Sequence, residues 1–344
     1  MKRKIRLLSL VFAFVLILSA CGSGSGEVVN IYNWGEYIDK DLLDMFEDET
    51  GISVKYDNFT TNEDMYVMLK NSNVAYDVIV PSDYMIERMV NEGMLQKIDF
   101  NNIPNYKNID DTFKQQAYDP NDEYSVPYFW GTLGIVYNTD LVDEEITSWD
   151  ALWDEKYSGQ IIMMDSSRDA LGISLVRLGY SLNSRDKDEL VQARDELIKQ
   201  KSLVRAYQMD ETKDLMVNGE AALAVMYSGD AALAMSEADN LKYVIPKEGS
   251  NIFLDAMVIP ANAQNKENAE AWINFMSDVD HSAQNAMIGY STPISASKEK
   301  LPSEFKDNLA AYPAQDDIKD LEVFQDPSDM VDLYDSYWQE VKSH

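Results

Sequence analysis

The chain has 344 residues with an ordinary globular composition, 45% hydrophobic and 26% charged, but its net charge is −31. So acidic a surface repels nucleic acid and draws cations toward it, which excludes nucleic acid as a partner. The same charge would also serve solubility on an exposed cell surface, and the length predicts roughly two domains.

The first twenty residues predict a secretory signal rather than part of the fold. Four basic residues precede an apolar run at 7–18, too short for a membrane span of roughly 20 apolar residues. The LSAC stretch at 18–21 resembles the lipobox of bacterial lipoproteins, and the glycine–serine stretch at 22–26 would form a flexible tether. We therefore expect a lipidated Cys21 and a tether over 21–27. The alternative is an accidental cysteine after an ordinary cleavage site. Since Cys21 is the only cysteine, an internal disulfide is excluded.

Strand and helix patterns alternate along the first half of the chain. Alternating or continuous apolar stretches predict strands at 28–32, 52–59 and 76–82. Helical spacing predicts helices at 39–51, 61–72 and 83–93. The first would bury Leu42, Leu43 and Phe46 and stop at Gly51, and the second would turn Met65, Met68 and Leu69 inward. This order is typical of a parallel sheet covered by helices.

The alternation restarts further along. Strands are predicted at 131–138, 159–165, 221–229, 242–246 and 253–261, and the strand at 221–229 could begin as a helix. Helices are predicted at 168–180, 188–200, 265–279 and 329–341. Since single hydrophobic cores stop growing near about 250–300 residues, the pattern favours two α/β lobes over one large sheet.

Acidic and aromatic residues follow four of the predicted strands. They are Trp34, Glu36 and Tyr37; Ser82, Asp83 and Tyr84; Asp165, Ser166 and Asp169; and Tyr227, Ser228 and Asp230. Asp255 and Tyr290 are further candidates of the same two types. Because ligands of open α/β sheets bind at the carboxyl ends of strands, these groups predict a binding site.

These residue types point to a cation. Helix N-termini favour anions, yet these positions carry carboxylates and rings instead of Arg or Lys. A desolvated ring facing a cation contributes roughly 1–2 kcal/mol, and a charge-assisted hydrogen bond roughly 1.5–3 kcal/mol. A lone aromatic is more often a packing residue, and an Asp after a strand is more often a helix cap. Acidic residues recur after four predicted strands, with aromatic residues after three of them, which favours a ligand-binding role over helix capping alone.

Signals for catalysis or metal binding are poor. His281 and His344 are the only histidines, and His281, within a predicted helix, is expected to be an ordinary surface residue. A zinc site is not expected, and no nucleophile-elbow, P-loop or dinucleotide motif is present. A pair of acids suited to glycoside hydrolysis is not excluded by the sequence, because acidic residues are abundant throughout the chain. The sequence therefore predicts a protein that is not an enzyme and has no cofactor and no metal.

Six long segments resemble a known family. They are YNWGEYI, YDVIVPSDYMIERMVNEGM, YSVPYFWGTLGIVYN, TSWDALWDEKYSG, PKEGSNIFLDAMVIPANAQNKENA and IGYSTP. Together they resemble the spermidine/putrescine-binding proteins of bacterial polyamine ABC transporters, from about residue 28 to residue 342. The resemblance implies the two-lobed α/β type II periplasmic-binding-protein fold, with a ligand cleft between lobes joined by crossover strands. The implied N-terminal lobe is 28–134 plus 256–298, and the C-terminal lobe is 135–255 plus 299–344.

The resemblance also implies a set of ligand-binding residues: Trp34, Glu36, Tyr37, Ser82, Asp83, Tyr84, Ser166, Asp169, Tyr227, Phe253, Asp255, Tyr290 and Gln325. Tyr227 stands where the family often has Trp, and Phe253 replaces another Trp. Ser166 stands where the family commonly has a second Asp, which places the terminal-amine end in question. Local spacing leaves Phe324 open as an alternative to Gln325.

The implied function is capture of polyamines on the extracellular face of the membrane and delivery to the permease of an ABC importer. The protein would be a monomer held to the membrane by a lipid at Cys21. A receptor for a sugar or other neutral solute is the alternative within this class, and a secreted carbohydrate-active enzyme is the alternative outside it. The sequence does not decide between spermidine and putrescine.

Overall fold

The structure is a computed structural model that describes residues 26–72, 74–209 and 211–344. The predicted signal at 1–20, Cys21 and most of the predicted tether lie outside the described residues. Within these ranges, no helix combines the length and the apolar character that a membrane crossing needs.

The described residues contain ten strands. In chain order they are β1 (Val28–Trp34), β2 (Ser53–Phe59), β3 (Val78–Ile79), β4 (Leu95–Gln96), β5 (Ser125–Asn138), β6 (Ile161–Met164), β7 (Val204–Gln208), β8 (Leu223–Tyr227), β9 (Leu241–Val244) and β10 (Ile252–Pro260).

Helices cover both halves of the described chain. They are α1 (Asp41–Thr50), α2 (Asn62–Asn71), α3 (Asp83–Asn91), α4 (Ser167–Arg177), α5 (Lys187–Gln200), α6 (Thr212–Val217), α7 (Ser228–Glu237), α8 (Lys266–Met276), α9 (Val279–Ala286), α10 (Ser295–Lys298), α11 (Ser303–Lys306), α12 (Gln315–Ile318) and α13 (Val331–Ser343). Short 3₁₀ turns lie at Phe100–Asn102, Pro104–Asn108, Asp111–Phe113, Trp149–Trp153, Glu155–Tyr157 and Lys201–Leu203.

One long strand joins the two halves of the molecule. The main strand order is β2-β1-β3-β10-β5-β8-β6-β7, with β4 on β10 and β9 on β5. The first part of β5 pairs antiparallel with β10, and from Leu133 onward β5 pairs with β8 and β9. All fourteen residues of β5 are buried, because the strand is covered along its whole length. It is therefore the crossover strand that the fold class predicts.

Two clusters of buried apolar side chains form the cores of the described residues. The first surrounds β1, β3 and β10 and contains the buried faces of α1, α3 and α8. The second surrounds β6 and contains the buried faces of α4, α5 and α13. We call the parts of the molecule around these clusters the first and second lobes. Residues 301–312 contribute to the first cluster, whereas Phe324 and α13 contribute to the second.

The structure corrects three local predictions. In α2, Met68 is 40% exposed, and Tyr66 is buried instead beside Met65 and Leu69. Residues 221–229 do not start as a helix: β8 comes first, and α7 begins at Ser228. His281 is not an ordinary surface residue, since its ring stacks on Phe275 at 3.8 Å and its side chain is only 14% exposed.

Candidate ligand-binding site

Asp255 lies at the centre of the candidate site. It is buried in β10 opposite Phe129 of β5, and its backbone also forms a bridge with Ser82, just before α3. The Tyr37 hydroxyl donates a 2.5 Å hydrogen bond to Oδ2 of Asp255, whereas Oδ1 is buried and accepts no hydrogen bond from the described residues. Burial raises the pKa of Asp255 to about 6, although the Tyr37 hydrogen bond opposes that rise. This carboxylate is therefore buried and incompletely satisfied.

Aromatic rings surround this carboxylate on one side. The ring of Tyr37 meets Tyr290 edge-on at 4.6 Å and Phe129 at 5.1 Å. Tyr290 and Phe129 are stacked at 5.6 Å. The Tyr290 hydroxyl donates a 3.3 Å hydrogen bond to Asp230, in the first turn of α7. Residues from β5, β10, α7 and the segments that follow β1 and α9 thus converge on one region.

Asp169 forms a second acidic point in the second lobe. Ser166 caps α4: its hydroxyl accepts the Asp169 N–H at 3.3 Å and donates to Oδ2 of Asp169 at 2.5 Å. The Tyr227 hydroxyl also donates to that oxygen, at 3.1 Å. The pKa of Asp169 is raised by burial, and its Oδ1 accepts no hydrogen bond from the described residues. Ser166 stands where the family commonly has a second Asp, and here it orients the carboxylate of Asp169 through these two hydrogen bonds.

Phe253 packs against Tyr227, the tyrosine that donates to Asp169. Its ring meets Tyr227 edge-on at 5.4 Å. A Cβ added at Gly131 would lie 2.5 Å from the Phe253 ring, so only glycine in β5 lets the ring lie this close to the backbone.

Asp83 has a different role from the other acids. It is buried in the first turn of α3, and its carboxylate accepts the backbone N–H groups of Tyr84 at 2.7 Å and Leu254 at 3.0 Å. Burial raises the pKa of Asp83 to about 7, and the two backbone hydrogen bonds oppose that rise. Asp83 therefore fastens α3 to β10, which sets Ser82 opposite Asp255.

Trp34 and Tyr84 belong to the first-lobe side of the predicted site, and of the two, within the described residues, only Tyr84 contacts a residue of the second lobe, Arg168. The Trp34 indole donates to the Val80 carbonyl at 2.8 Å, and its ring packs on Phe59 at 4.6 Å. The Tyr84 hydroxyl donates to Glu63 at 3.0 Å, and the ring lies 4.4 Å from the guanidinium of Arg168. Both side chains are half-buried, with their hydrogen-bonding groups engaged within the protein.

The structure does not bring two of the predicted residues into this group. The Glu36 side chain is 92% exposed, and its nearest cation is Lys40 at 3.7 Å. Gln325 is exposed, while its neighbour Phe324 is buried and borders a cavity of about 10 Å³ together with Asp169. Phe324 therefore shares a cavity with the acid, and Gln325 is not among the residues that line it.

The set of contacts that the resemblance implies leaves out three neighbouring residues, Asp230, Phe129 and Arg168. The strand-end rule did include Asp230, because this residue follows the predicted strand at 221–229. Phe129 lies mid-strand and Arg168 carries the charge opposite to the one sought, so neither gave a signal. Conversely, Asp165 follows β6 but accepts hydrogen bonds from Trp338 at 3.1 Å and Lys342 at 2.8 Å, away from this group.

The chemistry of the group is that of a cation site. Asp169 and Asp255 each keep one carboxylate oxygen without a hydrogen bond from the described residues, and rings lie beside both acids. Amine N–H groups would satisfy those oxygens, and alkyl segments would contact the ring faces. Among the described residues, no cluster of His, Cys, Asp and Glu has the composition of a metal site.

Comparisons with known proteins show what the whole chain is similar to. Residues 41–314 match the family described as bacterial extracellular solute-binding protein. The chain is 37% identical to the spermidine/putrescine-binding periplasmic protein of Escherichia coli K12, covering 100% of this chain and 99% of the relative. It is 31% identical to the putrescine-binding periplasmic protein SpuD of Pseudomonas aeruginosa, covering 96% and 97%.

A solved structure shows the same fold. It is the spermidine/putrescine ABC transporter substrate-binding protein PotD of Streptococcus pneumoniae, in complex with calcium and HEPES. The TM-score is 0.84 at 42% identity, over 92% of this chain and 99% of that one.

Proposed function

This chain belongs to the family of bacterial extracellular solute-binding proteins, and on that premise we propose that it captures linear polyamines, spermidine or putrescine, and delivers them to an ABC importer. The observation that carries the proposal is Asp255, a buried carboxylate with one oxygen left without a donor from the described residues and with aromatic rings beside it. The printed names of the relatives support the same ligand class.

The proposed site has two anchoring acids. Asp255 would hold one amine, and Asp169, oriented by Ser166 and Tyr227, would hold another. The carbon chain between the amines would contact aromatic rings, and closure of the lobes would exclude water and strengthen each ion contact. The proposed contact set is the one that the resemblance implies, namely Trp34, Glu36, Tyr37, Ser82, Asp83, Tyr84, Ser166, Asp169, Tyr227, Phe253, Asp255, Tyr290 and Gln325, with the structure favouring Asp230 and Phe324 as additions.

The proposal includes no chemistry on the ligand. The Escherichia coli relative is a binding protein by its printed name, and the solved structure is that of the substrate-binding protein of an ABC transporter. We propose that the protein is a monomer with lobes 28–134 plus 256–298 and 135–255 plus 299–344. Two observations favour a shift of these bounds: residues 301–312 contribute to the first cluster, and the bound between 255 and 256 falls inside β10, which pairs with β3, β4 and the first part of β5.

Calorimetric titration tests the ligand class directly. Spermidine and putrescine should each be titrated at moderate salt, with 1,4-butanediol as the control that keeps the length of putrescine and removes both charges. We expect heat from at least one amine and none from the diol. Binding of an oligosaccharide but of neither amine would support the neutral-solute alternative instead.

We further propose that a lipid on Cys21 holds the protein at the extracellular face of the membrane, as the LSAC stretch predicts. Cys21→Ser should move the protein from the membrane fraction to the medium or soluble fraction on immunoblots of fractionated cells. Retention of the variant in the membrane fraction would contradict acylation at this residue.

A further inference from the structure

Arg168 contacts aromatic rings from both lobes. It is the second residue of α4, and its guanidinium carbon lies 4.4 Å from the centre of the Tyr84 ring and 4.1 Å from that of Phe324. Tyr84 belongs to α3, whose buried residues lie in the first cluster, whereas Phe324 lies in the second cluster. Arg168 therefore connects α3 of the first lobe to the second lobe.

A second contact crosses between the lobes beside this one. The backbone N–H of Asp326 donates to Oε2 of Glu87, one turn after Tyr84 on α3, at 2.7 Å. The strip 324–326 is fixed to the second lobe, because the Gln325 N–H donates to Asn183 at 2.9 Å and the Gln325 carbonyl accepts from Arg168. Glu87 therefore bonds a strip that is itself held to the second lobe by hydrogen bonds.

Arg168 is poorly suited to bind an amine itself. Its positive charge lowers the pKa of both Asp83 and Asp169 below the values that burial alone would give. Nη1 is buried and makes no hydrogen bond to the described part of the chain. The guanidinium therefore combines one hydrogen bond, from Nη2 to the Gln325 carbonyl, with stacking on the two rings. A planar guanidinium stacks on aromatic faces in a way that a lysine ammonium does not.

We infer that Arg168 is a positioning residue for ligand capture: it clamps the lobes in the closed arrangement and thereby limits how fast a bound ligand leaves. The inference rests on the proposed function only for the identity of that ligand. Contacts present only in the closed state shift the population toward it. Because bound ligand leaves when the lobes open, the effect falls on the dissociation rate more than on the association rate.

Stopped-flow kinetics with spermidine, or with putrescine if only that amine binds, tests the clamp. We expect Arg168→Gln to raise the dissociation rate about ten-fold with an association rate within about two-fold of wild type, and Arg168→Lys to recover part of the loss. The matched control is Arg177→Gln on the same helix. Its contacts with Asp150 at 2.7 Å, Glu196 at 3.1 Å and the Trp153 ring at 4.3 Å all lie within the second lobe. Arg177→Gln should therefore dissociate at the wild-type rate.

The Glu87→Ala variant distinguishes two roles of Arg168: a clamp between the lobes and a direct contact with the ligand. It removes the second inter-lobe contact and should raise the dissociation rate in the same direction as Arg168→Gln. A faster rate in Arg168→Gln with a wild-type rate in Glu87→Ala would overturn the clamp, since Arg168 would then act on the ligand directly. Wild-type rates in both variants would overturn it as well.

Small-angle scattering without ligand provides a separate measurement. We expect a larger radius of gyration for ligand-free Arg168→Gln than for wild type and for Arg177→Gln, and equal radii overturn the clamp. If wild type binds neither spermidine nor putrescine, the proposed function fails, and the ligand-free comparison alone decides the clamp.

Discussion

The buried carboxylate of Asp255 would be stabilised by a bound cation. Burial of Asp255 disfavours its charged form, and hydrogen bonds from Tyr37 and Ser82 offset that effect only in part. A buried charge without a counterion is unfavourable, and pairing it with an ammonium removes much of that cost. The affinity for an amine is therefore expected to depend strongly on this side chain.

Replacing Asp255 by Asn should weaken spermidine or putrescine binding at least ten-fold, on the order of 1.4 kcal/mol or more. The amide keeps the shape but loses the charge that faces the ligand. Calorimetry measures the change, with Asp165→Asn as the control because that acid bonds Trp338 and Lys342 instead. Equal affinities for wild type and Asp255→Asn would remove Asp255 from the site.

The pH dependence of binding follows from the same group. The pKa of Asp255 in the ligand-free protein is about 6, and an ammonium binds the ionised form. Affinity should be constant above about pH 7 and should fall as the pH drops through 6, by up to roughly ten-fold per unit. Fluorescence titrations from pH 5 to pH 8 would show this, and Asp255→Asn should have a flatter profile. A wild-type profile that is flat across this range would contradict the assignment.

Secondary-structure elements place the side chains through close approaches of ring and backbone. A Cβ added at Gly229, in the first turn of α7, would lie 2.4 Å from the Tyr290 ring. The missing side chain therefore lets Tyr290 pack against α7, with its hydroxyl on Asp230. The first turn of α7 therefore both packs against the Tyr290 ring and carries the acid Asp230.

Gly229→Ala should push the Tyr290 ring out of place and lower polyamine affinity about five-fold or more, because Tyr290 contacts both Tyr37 and Phe129. The control is Gly35→Ala, where an added Cβ meets no heavy atom within 4 Å. Titration with spermidine or putrescine reads the effect. Unchanged affinity in Gly229→Ala would show that the position of Tyr290 does not matter for binding.

The whole molecule joins two cores through β5, and it carries a net charge of −31. A continuous crossover strand allows the lobes to move about a small region while each core stays packed. The surface charge acts at a longer range than the site and guides cations during the encounter, until salt screens it.

Association of a polyamine should therefore slow as salt increases. Between about 20 and 200 mM NaCl we expect the association rate of spermidine to fall several-fold while the dissociation rate changes less. If both amines bind, spermidine, with three charges, should show a steeper dependence than putrescine, with two. Stopped-flow measurements provide both rates. An association rate independent of salt would indicate that the acidic surface serves solubility alone.

Much of the fold could be predicted from the sequence, because its signals are local. Apolar periodicity marked strands and helices, and long segments such as YDVIVPSDYMIERMVNEGM carried the family resemblance, which the comparisons confirm. The residue types at strand ends also predicted a cation site before any contact was known. The membership of individual residues in that site stays a prediction.

Only the tertiary structure decided what each acid does, because the partners are distant in the chain. Tyr37 and Asp255 are 218 positions apart, and Asp83 meets the Leu254 N–H across 171. Asp165 and Asp169 follow the same strand, β6, yet Asp165 bonds the last helix, while Asp169 and, within β10, Asp255 each keep an oxygen that the described residues leave without a hydrogen bond. Composition and periodicity do not contain those pairings, since they arise when separate elements pack against one another.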